Sequence, residues 1–515
     1  MLSSRRRILT FEEHLVSSCS KGIVKEVKVL LQNPQINPNW LSSSGQTPFY
    51  IACQNGQTKV IKWLLKDQRI KVNETDRDDQ TPFYIACKNG HTEVVLLLFK
   101  DIRVNLSQVN GSGETAFYIA CHNGHIEIVK QLLNDKRINP NRANESGQTP
   151  FYIACKNGHI EVVKSLFNNK RVDRSKVDRY GSTPFYTACD NGQLEVVRLL
   201  LSDQGTDVNN ANITGCTPFS IACHNEHIEI VKLLLKDGRV DINKTDNGKT
   251  PFYTACQAGW TKIVELVLNI QRVDVNRITN GATPFGIACE NGRTEVVKLL
   301  LNDERVDVNK ANNNDQTPFY VACAYGKIEV VKLLVNDKRV DINKPDRNDA
   351  SPLYIACYWG KIEIVEYIIA CGRDVNVNAK NREMKTAIDV AREEEKNAEI
   401  MPKNYTKIIN LLEEFERNPN GTRFKLRKQL GFAGNIFFFL LCLIIYLILI
   451  NIYLYFKMLM LLFYSLLLSF FQMSTSISKY KIKKSQKSKN QKIKKIINNN
   501  KNSILIFVFV LVTKF

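Results

Sequence analysis

Histidine is scarce in this chain, 7 residues in 515, and residues 417–515 contain neither Asp nor Glu. No Ser/His/Asp grouping, no glycine-rich phosphate loop and no isolated carboxylate pair stands apart from the rest of the sequence. Each absence excludes something. Without a nucleophile–base set or a phosphate cradle, an enzyme has no residues to rest on, so the expectation is no catalytic residue, no cofactor and no bound metal. His122 and His125 follow Cys121, and His224 and His227 follow Cys223, a ligand-like spacing at first sight. The equivalent positions elsewhere hold Gln57, Trp260 and Lys327, so no donor set is maintained. No apolar run follows Arg5-Arg6-Arg7, which argues against a secretory leader there.

The missing acids also make the net charge of +20 misleading as an average. Residues 417–515 carry 17 of the 71 Lys and Arg, which leaves 54 basic against 51 acidic residues in 1–416. A nearly neutral body is not a surface built to hold nucleic acid. The basic character sits in the tail beside long apolar runs. Ile436–Phe456 is 21 uncharged residues, long enough to cross a bilayer. Met458–Phe471 adds 14 more after Lys457, and Ile504–Val512 is too short to span.

What is present in quantity is a repeat. Thr47–Cys53 reads Thr-Pro-Phe-Tyr-Ile-Ala-Cys, and near-copies return every 33 or 34 residues until Cys357, with Thr or Ser at 47, 81, 115, 149, 183, 217, 250, 283, 317 and 351. A fixed period of this length means stacked supersecondary units. In the unit from Gly147 to Thr183, Thr149 is placed to cap a helix and Pro150 to begin it. A short apolar helix should end near Asn157-Gly158, and a second should run from about Ile160 to Asn168 with only Glu161 and Lys164 as a polar stripe. A helix apolar nearly all round must be sandwiched, and one this short cannot persist alone, so stacking is obligatory. The linking tract, as at Asp303–Asn309, is polar and turn-forming. Two units lose one residue after Asn243 and Asn276, at the hairpin tip, where length changes are best tolerated.

Thr-Pro-apolar-aromatic-x-Ala, a Gly, a Glu-Val-Val-Lys-Leu-Leu-like helix and Asp-Val-Asn together resemble the ankyrin repeat. The resemblance implies an all-α repeat solenoid, a stack of helix-turn-helix-hairpin units over residues 10–416, with capping units at 10–33 and 386–416, about twelve in all. Beyond it come a basic linker (417–435), a hydrophobic candidate transmembrane segment (436–472) and a Lys-rich tail with a short apolar end (473–515). Eleven of the 14 Cys, from Cys19 to Cys357, fall in register where such repeats carry a small residue. Helices packed about 8–10 Å apart hold them too far apart for disulfides, so they read as buried thiols in a reducing compartment. Cys216 is out of register beside Gly215 and is expected to be an exposed thiol. Tyr50, Tyr152 and their equivalents stand where the family has His, with a hydroxyl to bond across the hairpin base. Ser220 and Gly286 break that column, marking looser interfaces.

In function the resemblance implies a non-enzymatic protein-interaction scaffold, a monomeric array with an unidentified protein partner. The array is expected in the cytoplasm, tethered to a membrane through 436–456 either as one crossing or as a hairpin turning near Lys457. An accessory subunit of a membrane channel or transport assembly, and a soluble nuclear or cytoplasmic adaptor with a basic tail, are the alternatives. Partner contacts in such arrays fall at hairpin tips and the inner face of the first helix, here Gln46, Gln80, Glu114, Gln148, Ser182 and Cys216. Later units add Trp260, Tyr325, Tyr358 and Trp359, and Trp and Tyr are over-represented where binding energy concentrates.

Overall fold

The computed structural model of the protein describes residues 10–397 and 402–482. Arg5–Arg7 and most of the Lys-rich tail, from residue 483 on, lie outside the described residues.

The repeat grammar becomes geometry at the first residue of each unit. Thr149 is extended, its hydroxyl accepts the Tyr152 amide at 3.1 Å, and Pro150 opens the helix Pro150–Asn157. Gly158 then takes the left-handed conformation, φ 75°, and turns the chain into the second helix, Ile160–Phe167. That helix buries Val162, Val163 and Leu166 and leaves Glu161 and Lys164 paired in solvent at 2.7 Å. Such a pair stabilises by a few tenths of a kcal/mol, whereas each buried Val or Leu contributes roughly 1.5–3 kcal/mol. Packing between units therefore dominates.

Among the described residues, twelve helix pairs follow one another in this way, from Phe11–Lys21 with Val24–Gln32 to Ala387–Asn397 with Pro402–Arg417. The first pair lacks Thr-Pro and starts instead on a reciprocal cap, Thr10 with Glu13. The registered thiols from Cys19 to Cys357 are all free and buried, in a column with Phe49, Tyr50 and their equivalents. Burial pushes the Cys19 thiol up to about 12. No strand occurs among the described residues. Where the hairpins are one residue short, the tips are Asn247-Gly248 and Asn280-Gly281, both left-handed, each closed by an isolated antiparallel bridge. These are two-residue turns of the kind Asn-Gly favours.

The described chain divides into two compact units after Arg423. The stretch read as a linker is helical over Pro419–Gln429, and Arg423 donates to the Arg373 carbonyl at 3.2 Å. In the second unit one helix runs unbroken from Phe432 to Ile482. At 1.5 Å per residue it is about 75 Å long. It passes through Lys457 without a turn, so a hairpin folded at that residue is not the structure: nothing between Phe456 and Met458 breaks helical propensity.

Candidate partner-binding surface

Side chains at the helix–helix turns of one unit reach back to the unit before it. His159 meets the His122 carbonyl at 2.7 Å through Nε2, and Asn157 donates to the same oxygen at 2.8 Å. His91, His125 and His227 do likewise on Gln54, Lys88 and Asp190, and Gln57, Gln193 and Arg293 substitute for them. A carbonyl only accepts, so Nε2 carries the proton and the ring serves as a cap for the preceding helix's carbonyl end. That role, rather than metal binding, accounts for where these histidines occur.

The tyrosine column links the units one layer deeper. Tyr50, Tyr152 and Tyr320 donate their hydroxyls to Asp76, Asp178 and Asp346 at 2.8, 2.9 and 3.2 Å, and Tyr84 donates to Glu114 at 2.7 Å. Burial, then these carboxylates, push the Tyr50 and Tyr84 phenols up. On the hairpin side, Arg305 binds Asp303 through two nitrogens and also donates to the Leu268 carbonyl at 2.5 Å. Arg69, Arg103, Arg137, Arg239 and Arg339 repeat the arrangement on the preceding unit's second helix. Besides pairing with Asp, these arginines cap helix C-termini, where a cation is favoured. Asn141 ties its hairpin to the next one twice, donating to the Arg171 carbonyl and accepting the Asp173 amide, each at 2.7 Å.

The hairpin-side candidates turn out to be largely internal. Glu114 and Gln148 accept tyrosine hydroxyls, and Gln46 and Gln80 are half-buried at the hairpin base. Ser182 is buried. Cys216, expected to be exposed, is 8% exposed; its Sγ lies 3.9 Å from the Thr217 carbonyl and 3.5 Å from Ser220 Oγ, because Ser220 leaves room for the thiol to turn inward. Burial raises its pKa. The aromatic candidates separate into two kinds. Trp260 is half-buried, edge-on to His224 at 5.6 Å, and Tyr358 is half-buried, edge-on to Trp359 at 5.0 Å. Tyr325 and Trp359 are 57% and 54% exposed. The sequence reading missed a cavity at Ser220, although the break in the tyrosine column pointed to it.

The family described as ankyrin repeats (3 copies) matches the chain in eight overlapping stretches running from residue 12 to residue 381. The chain belongs to the ankyrin-repeat family. No curated protein matches it. Membership implies a protein–protein interaction role for the stack. The ankyrin surface offers a broad, shallow polar trough along the helix–helix turns, with a volume of about 730 Å³, lined by Lys88, His122, Lys156 and Gln193 among others. His122 Nδ1 is buried there without a partner, and burial lowers the pKa of its ring. Outside the array, one described helix segment, Ile444–Ser469, is long and apolar enough to cross a membrane.

Proposed function

We propose that the protein is a non-enzymatic scaffold that holds a protein partner on its ankyrin surface and is tethered to a membrane through its C-terminal helix, with the array in the cytoplasm. The observation that carries the scaffold reading is the pair Tyr325 and Trp359. Both stand in the column where Asn89, Asn123 and Asn157 tie one unit to the last, and both put a ring there that is more than half exposed, Tyr325 beside Glu290 of the preceding unit. Trp359 packs edge-on to Tyr358 yet keeps more than half of its surface in solvent, and at an interface such a ring supplies a large, rigid contact. The test compares partner capture by the full chain and by Trp359→Ala and Tyr325→Ala, each checked for unchanged helical content by circular dichroism. A bound partner should weaken at least about tenfold with Trp359→Ala, a change equivalent to about 1.4 kcal/mol. Equal capture by both variants and the wild type would remove the assignment.

The tether rests on length and on one lysine. Centred on Ile444–Ser469, a span would carry Lys457 near the bilayer midplane, at about 2.5–3.5 kcal/mol. Shifted to 436–456, the same helix crosses with 21 residues, about 30 Å, and Lys457 reaches the interface. The second placement is favoured. Arg423, Lys425, Arg427 and Lys428 precede it, and basic flanks favour the cytoplasmic side.

A further inference from the structure

The interface between the unit opening at Thr217 and the unit opening at Thr250 departs from its neighbours in four columns at once. Ser220 replaces the tyrosine, Glu226 at φ 53° replaces the glycine, Trp260 replaces the capping His or Gln, and the hairpin is shortened to the Asn247-Gly248 turn. The consequences meet at Asp246. It holds the register of Asp76, Asp178 and Asp346, each of which accepts the hydroxyl of the tyrosine 26 residues earlier. Here that residue is Ser220, whose hydroxyl turns back to accept the Thr217 amide at 2.7 Å. In the full-length hairpin, Asp178 Oδ1 also takes the Tyr180 and Ser182 amides, both at 2.9 Å. In the shortened one the Lys249 amide goes to the Asp246 backbone carbonyl at 2.8 Å. Asp246 Oδ1 is left buried with no partner.

The second break in the column behaves differently. Opposite Gly286, the corresponding position is Asn312, whose side chain bonds Gln316 at 3.0 Å, so no acceptor is stranded. Only at Ser220 do a missing ring and a stranded carboxylate coincide. The space is a cavity of about 260 Å³ walled by Tyr186, Cys216, Ser220, Asp246, Lys249 and Trp260. That is below the roughly 300–1,000 Å³ of sites that take whole ligands, and it suits one ring.

We propose that this cavity is a receptor for a tyrosine side chain of a partner polypeptide, whose phenol hydroxyl donates to Asp246. The neighbouring repeats of the same chain display the geometry the guest would adopt. A polypeptide is the favoured source over a free phenol because a single ring has few atoms to bind with, and a peptide adds contacts along the rim formed by Trp260 and the hairpin. The proposal rests on the scaffold reading and gives it a recognition element.

The experiment titrates the full-length protein in detergent with N-acetyl-tyrosinamide, N-acetyl-phenylalaninamide, a capped Gly-Tyr-Gly peptide and p-cresol, by ligand-observed NMR against protein-free micelles. Tyrosinamide and the capped peptide should bind at least about tenfold more tightly than phenylalaninamide. Ser220→Tyr should fill the cavity from within, raise the melting temperature and abolish binding. Asp246→Ala, which removes the proposed acceptor together with the carboxylate's interaction with the Cys216 thiol, should erase the preference for tyrosine over phenylalanine and keeps the test valid if Ser220→Tyr misfolds. Equal binding of tyrosinamide and phenylalaninamide, undiminished binding to a folded Ser220→Tyr protein, or binding of p-cresol with exclusion of the capped peptide would each overturn it. The probes need no partner, so failure here is separable from failure of the Trp359 capture test.

Discussion

Gly158 meets two demands that no other residue satisfies together. Its φ of 75° is left-handed, and an added Cβ would collide with Gln193 Oε1, the side chain that caps Lys156 from the next unit at 3.1 Å. The glycine was legible from sequence as a turn, but the second demand was not, because it comes from a residue one repeat away. Gly158→Val should cost roughly 2–3 kcal/mol, from the left-handed penalty and the loss of the Gln193 bond. Urea titration of the full chain should show the shift in midpoint, and Gly158→Ala should cost less. The tyrosine column yields a ranked prediction. Asp178 is 8% exposed and accepts Tyr152 at 2.9 Å, whereas the Tyr118 hydroxyl meets neutral partners, donating to Gln148 at 3.3 Å and accepting from Asn144 at 3.2 Å. Tyr152→Phe takes the hydroxyl donor from Oδ2 of a buried carboxylate and should cost about 1–3 kcal/mol, and Tyr118→Phe about 0.5–1.5 kcal/mol. Equal losses would show that the carboxylates are better solvated than their burial implies.

At the scale of the element, the hairpin was legible in composition but not in purpose. Asp-Lys-Arg-Val-Asp-Val-Asn reads as a polar turn from any single copy. That its Arg caps the preceding second helix and its Asn stitches to the next hairpin depends on contacts 30 to 38 residues away. No local pattern encodes such partners. The Arg305 guanidinium, through its hydrogen bonds, holds the Asp303 carboxyl below the usual carboxylate range. A carboxyl depressed in the folded state contributes stability above its unfolded value, near pH 3.9, and loses it as pH falls through the folded value. Arg305→Ala should therefore cost roughly 1 kcal/mol at pH 7, from an ion pair about a quarter exposed on the Arg side, and less below about pH 4. Some cost should persist in acid, because the bond to the Leu268 carbonyl does not titrate. A gap between variant and wild type that stays constant from pH 7 to pH 3 would assign the whole effect to that cap.

At the scale of the whole molecule, the two compact units were unequally legible. The stack announces itself because ten copies of one motif carry the same information, so errors at single positions such as Cys216 do not propagate. The tail has no repeats, and its reading rests on one property, apolar length. There the helix Phe432–Ile482 corrected the expectation, since its continuity through Lys457 removes the hairpin and leaves one crossing as the reading to test. If 436–456 crosses once with Arg423 to Lys428 on the cytoplasmic side, the two ends of the chain should differ in accessibility. Carbonate extraction should leave the full chain in the membrane pellet and release a chain ending at residue 430. In sealed vesicles with the cytoplasmic face outward, protease should remove a tag at residue 1 and spare one at residue 515. Both tags cut, with the protein retained by carbonate, would mean that the helix lies along the surface or that the chain returns. Release of the full chain by carbonate would remove the tether and leave the ankyrin scaffold to act without it.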